Sequence, residues 1–269
     1  MYRFRVWWAD SRGKVIVTLL VLWIGALIHQ FQLTFVWFPM VAVLGTILFD
    51  LLVCWARKRQ WVFTMSSVVT GLLIGLIFDP RAGVLPLLVA CALSVIGKQL
   101  IGVGDHRHIG NPATTGILLA SILFGRPVAW WGAAWGIIPA IIIAVGMTST
   151  LVRLRRQWMA IVFLVIYFVM NYYFGGIRGA INLTIDGTVF LFAFIMLPEP
   201  ITSVSGNQWR YIWGALVGGL VVIQGMFPIF NIDPLLTALL VANILAFFFI
   251  RKPWARLDST SAARQVRDS

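Results

Sequence analysis

Polar and ionisable residues occur at only a few points along this chain, and each point admits a definite chemistry. The stretch GDHRHIGNPATTG, 104 to 116, gathers Asp105, His106, Arg107 and His108 ahead of Asn111-Pro112 and the hydroxyls of Thr114 and Thr115. Acidic residues stand directly before proline at three further places: Asp79-Pro80, Glu199-Pro200 with Thr202 close behind, and Asp233-Pro234. Asn or Asp before proline suits a helix start. The side chain accepts a hydrogen bond from an early backbone N–H, and proline at the first position gives up a bond the helix would not make. Such a start at membrane depth also aims partial positive charge at whatever lies beyond it, which suits a phosphate, a carboxylate or an electron-rich ring oxygen. Capping alone accounts for Asn111, and Thr114 and Thr115 could bond their own backbone, so ligand contact there stays open.

The remaining chemistry-bearing residues divide the same way. His106 and His108, two apart, share a side of a strand but not of a helix. The third histidine, His29, falls on the opposite side of the membrane, so no metal or haem site is expected. Cys54 and Cys91 lie inside apolar runs without ligand spacing and read as small hydrophobes. Asp79 and Asp233 close or open short apolar runs, where an ionisable group is costly unless paired or functional, and they are candidates for an ion pathway. Asp50 is ambiguous, and Lys98 lies near enough to the membrane surface to snorkel.

These residues must be positioned by membrane helices. The chain has 269 residues, is 60% hydrophobic and 11% charged, and has a mean hydropathy of +0.92, far from the soluble range. Its net charge of +12 comes from short clusters of Lys and Arg between apolar runs, which fits loops at a membrane surface rather than nucleic-acid binding. Apolar runs fall at about 14–33, 35–56, 61–78, 84–103, 111–125, 128–152, 158–174, 187–198, 210–228 and 234–250. The fifth and eighth are too short to cross a core of about 30 Å unaided and suggest broken helices. With the N-terminus inside, 18 of the 21 basic residues fall on the cytoplasmic side, a bias that supports ten spans. The expected location is the cell (inner) membrane, multi-pass, with both termini cytoplasmic.

The chain also resembles itself. NPATTGILLASIL, 111 to 123, aligns without gaps on DPLLTALLVANIL, 233 to 245, and GLIFDP ending at Pro80 matches IMLPEP ending at Pro200. The offsets, 122 and 120, nearly agree and divide ten spans into five plus five. An odd number of spans inverts the second copy. Asn111 and Glu199 then face the cytoplasm, while Asp79 and Asp233 face outside. The fold class is therefore an all-α integral membrane protein of about ten transmembrane helices in two inverted five-helix repeats with short broken helices. Its parts are a cytoplasmic interfacial segment (1–13), membrane repeat 1 (14–125), membrane repeat 2 (126–250) and a polar cytoplasmic tail (251–269).

At these motifs the chain resembles a known family. KQLIGVGDHRHIGNPATTGILLASIL is similar to the Lys-containing helix end, the His-Ile-Phe-Asn-Pro-Ala motif and the following helix of one membrane-subunit family. That family contains membrane subunits of the Rnf complex and of the sodium-pumping NADH:quinone oxidoreductase. FLFAFIMLPEPITSVSGNQWRYIWGALVGGL resembles its Thr-Asp/Glu-Pro-Val/Leu-Thr segment and the Gly-Ala-Leu-Val-Gly helix beyond. MYRFRVWW, SVVTGLLIGLIFDP and AWWGAAWGIIPAIII followed by RLRR extend the likeness over nearly the whole chain. The resemblance implies a ten-helix inverted-repeat subunit that holds flavin and moves electrons, in some members coupled to ions.

Three departures qualify it. Members with covalent FMN attach it to the threonine of a Ser-Gly-Ala-Thr motif in an outside loop. The corresponding loop is expected here at RGAINLT, 178 to 184, where Arg178 and Ile181 replace serine and threonine, so no covalent FMN is expected, although Thr184 lies nearby. Gly110 replaces the phenylalanine before Asn111, and Pro198 the threonine before Glu199. The implied cofactor is a flavin (FMN or riboflavin) held non-covalently, or a quinone, in a site of Asn111, Thr114, Thr115, Glu199 and Thr202. With no Gly-rich nucleotide motif or Cys cluster, NAD(P)H, FAD or iron–sulfur chemistry must come from a partner protein. The alternative on the same framework is a transporter or channel for a small solute, a flavin or an ion.

Overall fold

The computed structural model describes residues 11–58, 61, 63–101, 108–204, 208–227 and 232–251. Asp105, His106 and Arg107 lie outside the described residues, as do nearly all of the predicted interfacial segment and tail. Among the described residues there are ten helices and no strand. They are α1 (Ser11–His29), α2 (Leu33–Lys58), α3 (Met65–Ile77), α4 (Val84–Gln99), α5 (Pro112–Phe124), α6 (Ile137–Arg153), α7 (Gln157–Thr184), α8 (Gly187–Leu191, running into a π turn over Phe192–Met196), α9 (Trp209–Met226) and α10 (Pro234–Leu245, running into a π turn over Ala246–Arg251).

Helices α1, α2 and α7 are long and apolar enough to cross a membrane. By contrast α3 and α5, at 13 residues each, rise only about 20 Å. Short elements of this kind can sit at membrane depth only when other helices cover their ends, because hydrocarbon offers no partner for a free N–H or C=O. The bundle provides that cover. Buried residues fill α3 from Thr70 to Ile77 without a break, while α1 and α2 surround it. Glycine lets the backbones close. A Cβ on Gly75 of α3 would stand 2.5 Å from Pro39 Cα of α2, and one on Gly116 of α5 would strike Ala90 O of α4.

The packing order repeats. In the first half α1 packs on α3, α2 on α4 and α4 on α5; in the second α6 packs on α8, α7 on α9 and α9 on α10. Like elements of the two halves meet as α1 with α6 and α5 with α10.

Three boundaries differ from the sequence reading. The run at 128–152 does not begin as a helix. Residues 128–136 fold back over the end of α3, where Ala129 and Trp130 N–H donate to Ile77 O, Gly132 N–H to Leu76 O and the Trp131 indole to Gly75 O, at 2.9–3.0 Å. This satisfies carbonyls that a helix end leaves free, and Gly136, at φ 101°, turns the chain into α6. The run at 158–174 extends to Thr184 through a bend at Gly176 (φ 70°, ψ 178°), so RGAINLT is helical rather than the expected loop. The run at 61–78 yields only α3, because Thr64 lies outside the helix in extended backbone.

Candidate functional site

Asn111 and Asp233 start α5 and α10 with the same local bonding. Asn111 Oδ1 accepts from Thr114 N–H at 3.1 Å, and Asp233 Oδ1 from Leu236 N–H at 2.9 Å. The two caps share backbone angles, −58° and 125° against −56° and 121°, and each cap's carbonyl accepts from the hydroxyl four residues on, Thr115 or Thr237. The aligned motifs are therefore one capping structure used twice.

At the Asn111 end the halves enclose a cavity of about 360 Å³. Arg12 of α1, Asn111 and Ala113 of α5, Thr150 of α6, and Glu199 and Ile201 beyond α8 are among its walls. This volume lies in the range of small-molecule sites. Arg12 and Glu199 are its ionisable lining residues. Glu199 Oε2 accepts from Thr202 Oγ1 at 2.8 Å, and its Oε1 lies 3.7 Å from Nε2 of buried His108. The turn holding Glu199 is fixed from behind by Arg156, which donates to the carbonyls of Pro198 and Glu199 and to Ser203 Oγ. Burial lowers the Arg156 pKa from its ordinary value, Arg210 lowers it further, and Glu199 opposes both.

The expected site residues separate into two groups. Asn111 and Glu199, from different halves, line the one cavity. Thr202 supports Glu199, Thr115 packs its methyl on Gly97 of α4, and Thr114 is buried within the bundle. Asp79 and Asp233 both lie by the 128–131 segment at the opposite end. Asp79 caps a short 3₁₀ turn by accepting from Arg81 N–H at 2.9 Å, while Asp233 Oδ2 accepts from the Trp130 indole at 2.7 Å. The grouping of Asn111 with Glu199 and of Asp79 with Asp233 is the one that inverted repeats require.

Other residues are corrected by the structure. Lys98 does not snorkel: its Nζ lies 3.2 Å from both carboxylate oxygens of Asp50, which is 1% exposed and also accepts from Thr64, Ser67 and Gln99. The charge is drawn inward because a buried carboxylate without a cation would cost more than the stretch to water gains. His108 is no surface residue; it is 3% exposed and faces Glu199. Its signal was its place at the head of the family-like motif, three residues before Asn111. Arg156 was counted only as a topological charge, and Thr150 carried no signal. Gly110 is where the resembled motif has phenylalanine, and here a Cβ would come within 2.8 Å of the end of the Leu240 side chain on α10, so a larger residue requires that leucine to move.

The cavity presents a few polar groups on a mostly apolar lining. Thr150 Oγ1, on its wall, is buried without a hydrogen-bond partner, the α5 N-terminus and Arg12 supply positive potential, and Glu199 supplies an acceptor. Among the described residues no group of three or more His, Cys, Asp or Glu side chains could hold a metal ion.

Fold and site together define an all-α membrane protein with a largely apolar cavity, edged by a few polar groups, where its two halves meet. The NQR2, RnfD, RnfE family, whose members are membrane subunits of electron-transport complexes, matches the chain over residues 9–137 and supports the resemblance drawn from its motifs. The match covers α1 to α5 and the 128–136 segment, so the likeness around Glu199 rests on its own residues. No curated protein matches the chain.

Proposed function

We propose that the chain is a membrane-embedded electron-transfer subunit that holds a flavin or a quinone in the Asn111–Glu199 cavity. A partner protein with NAD(P)H, FAD or iron–sulfur chemistry exchanges electrons with it. The observation that carries this reading is the convergence of Asn111 and Glu199, from opposite halves, on one cavity with an unpaired buried hydroxyl at Thr150. A bound flavin or quinone would supply the one- and two-electron chemistry that side chains lack.

The chain's own residues position and balance charge. Asn111 fixes the α5 N-terminus so that its dipole points into the cavity. Arg12 adds positive charge that favours an electron-rich ring or a phosphate. Glu199, steadied by Thr202, presents a carboxylate beside His108, a pair able to hold a proton at Oε1 or Nε2. The cavity lies at the end that the distribution of Lys and Arg assigns to the cytoplasm, where a soluble reductase could reach it.

The test is an absorption spectrum of the purified protein before and after acid precipitation, followed by titration with FMN, riboflavin and a short-chain quinone. Flavin released by acid, or saturable binding weakened at least about tenfold in Glu199→Gln and Thr150→Val, supports the reading. A colourless protein that binds none of the three refutes it. Uptake of flavin or ions into vesicles without an electron donor would favour the transporter alternative.

A further inference from the structure

The end of α6 carries an arginine where the chain elsewhere uses glycine. Where α5 ends, Gly125 takes φ 59°, its N–H donates to Ile122 O, and the N–H of the next residue, Arg126, donates to Ser121 O. The end of α6 repeats this bonding with Arg155 at φ 54°: its N–H donates to Val152 O at 3.0 Å, and Arg156 N–H donates to Leu151 O at 2.8 Å. Glycine takes this left-handed position without a steric penalty, whereas a residue with a Cβ is strained there. An arginine held at such a position calls for a role of its side chain.

Arg155 lines an open recess of about 460 Å³ where the end of α6 meets the starts of α7 and α9. Arg210 lines it too, and its guanidinium donates to the Arg155 carbonyl, which sets the two residues side by side. The walls also include Gln208 and the aromatic pair Trp158 and Tyr211, whose ring centroids lie 6.1 Å apart. Among the described residues no carboxylate lines this recess. The recess also opens toward lipid. Trp158 and Tyr211 are exposed, as aromatic residues at a membrane boundary are. Along α7 the face of Trp158 continues as exposed Ile161 and Val165, and along α9 that of Gln208 continues as exposed Ile212 and Leu216. Two apolar strips thus lead away from a cationic recess. The distribution of Lys and Arg assigns this end to the cytoplasm, where basic pockets between membrane helices suit anionic headgroups.

We propose that Arg155 and Arg210 bind the phosphate of an anionic phospholipid, with Trp158 and Tyr211 at the boundary between headgroup and acyl chains and the chains lying along α7 and α9. The planar donor fork of a guanidinium matches phosphate oxygens, and two forks in one recess hold the headgroup in a fixed place. None of these four residues lines the Asn111–Glu199 cavity, so the lipid site stands whether or not a cofactor binds there.

The test is native mass spectrometry of the delipidated protein in a neutral detergent, titrated with phosphatidylglycerol, with phosphatidylcholine and with inorganic phosphate. Phosphatidylglycerol is expected to bind more tightly than phosphatidylcholine. Arg155→Gly and Arg210→Gln are each expected to weaken it about tenfold, the factor that one charge-assisted hydrogen bond gives, while Arg57→Gln, an exposed charge on α2, leaves it unchanged. Because glycine suits φ 54°, Arg155→Gly is expected to unfold at the same temperature as the parent or a higher one, which separates lost binding from a lost fold. Unchanged binding in Arg155→Gly, or an equal loss in Arg57→Gln, overturns the proposal. Displacement of the lipid by inorganic phosphate at the same concentration also overturns it, because the recess would then be a site for soluble phosphate.

Discussion

The contact between Lys98 and Asp50 makes the sharpest stability prediction. Its Nζ stands 3.2 Å from each carboxylate oxygen, with the two side chains 14% and 1% exposed. At that distance the Coulomb attraction is about 5 kcal/mol for an effective dielectric constant near 20. Desolvation of both charges offsets several kcal/mol of it. Lys98→Met leaves a buried carboxylate with only the neutral donors Thr64, Ser67 and Gln99, so the expected cost is about 3 kcal/mol. Asp50→Asn leaves a lysine that still donates to Thr64 Oγ1 and has some access outward, and should cost about 2 kcal/mol. The double variant removes both charges and should cost little more than the larger single loss, giving a coupling near 2 kcal/mol. The measurement is reversible SDS-induced unfolding in mixed micelles for all four proteins of the cycle. A coupling below about 0.5 kcal/mol, the value of an exposed pair, would mean that the lysine reaches to the surface after all and would refute the reasoning.

Further variants probe the backbone framework. Gly116→Val pushes a branched side chain into Ala90 O and Ser94 of α4; a loss of at least about 2 kcal/mol in the same unfolding assay is expected. Asn111→Ala should lose about 1 kcal/mol as a missing cap, while Asn111→Asp, the side chain used at the other end, should restore it. Trp130→Phe removes the indole donor from half-buried Asp233 and should cost about 1–2 kcal/mol, measured by thermal unfolding in detergent.

Legibility in the sequence followed the kind of interaction involved. Ten helices could be read because hydrocarbon thickness and apolar run length are linked by one number, and the caps could be read because an Asx-Pro start is local. Asn111 and Glu199 reached the same cavity because the inverted repeat relates distant segments by a rule that sequence carries. What could not be read were partnerships without periodicity. Nothing in the spacing of Asp50 and Lys98, 48 residues apart, says that they touch, and Lys98 near a helix end has a cheaper default in snorkelling. His108 was hidden by its company. Beside Arg107 in the sequence it looks like surface charge, although its own side chain is buried. Residues 128–136 were misread because an apolar, tryptophan-rich stretch adjoining a helix scores as helix. Its backbone donors instead serve the carbonyls of α3.

The same architecture is used differently at its two ends, and that asymmetry is where function should be sought. Both ends have a proline-started helix with an Asx cap, and both place an acidic residue before proline just beyond a short helix. At the Asp233 end the cap is taken by Trp130, and the α3 carbonyls are closed by main-chain donors, leaving the aspartate held from two directions. At the Asn111 end the described residues leave a cavity, and aspartate is replaced by neutral asparagine. The substitution has a physical sense. A carboxylate at the cap would neutralise the positive end of the α5 dipole, whereas an amide fixes the helix start and leaves that potential for an electron-rich group. Among the described lining residues Glu199 then supplies the negative charge, held by Thr202 and backed by Arg156. Two near-identical caps, one bonded to Trp130 and one bordering the Glu199 cavity, thus present different groups at the two ends of the bundle.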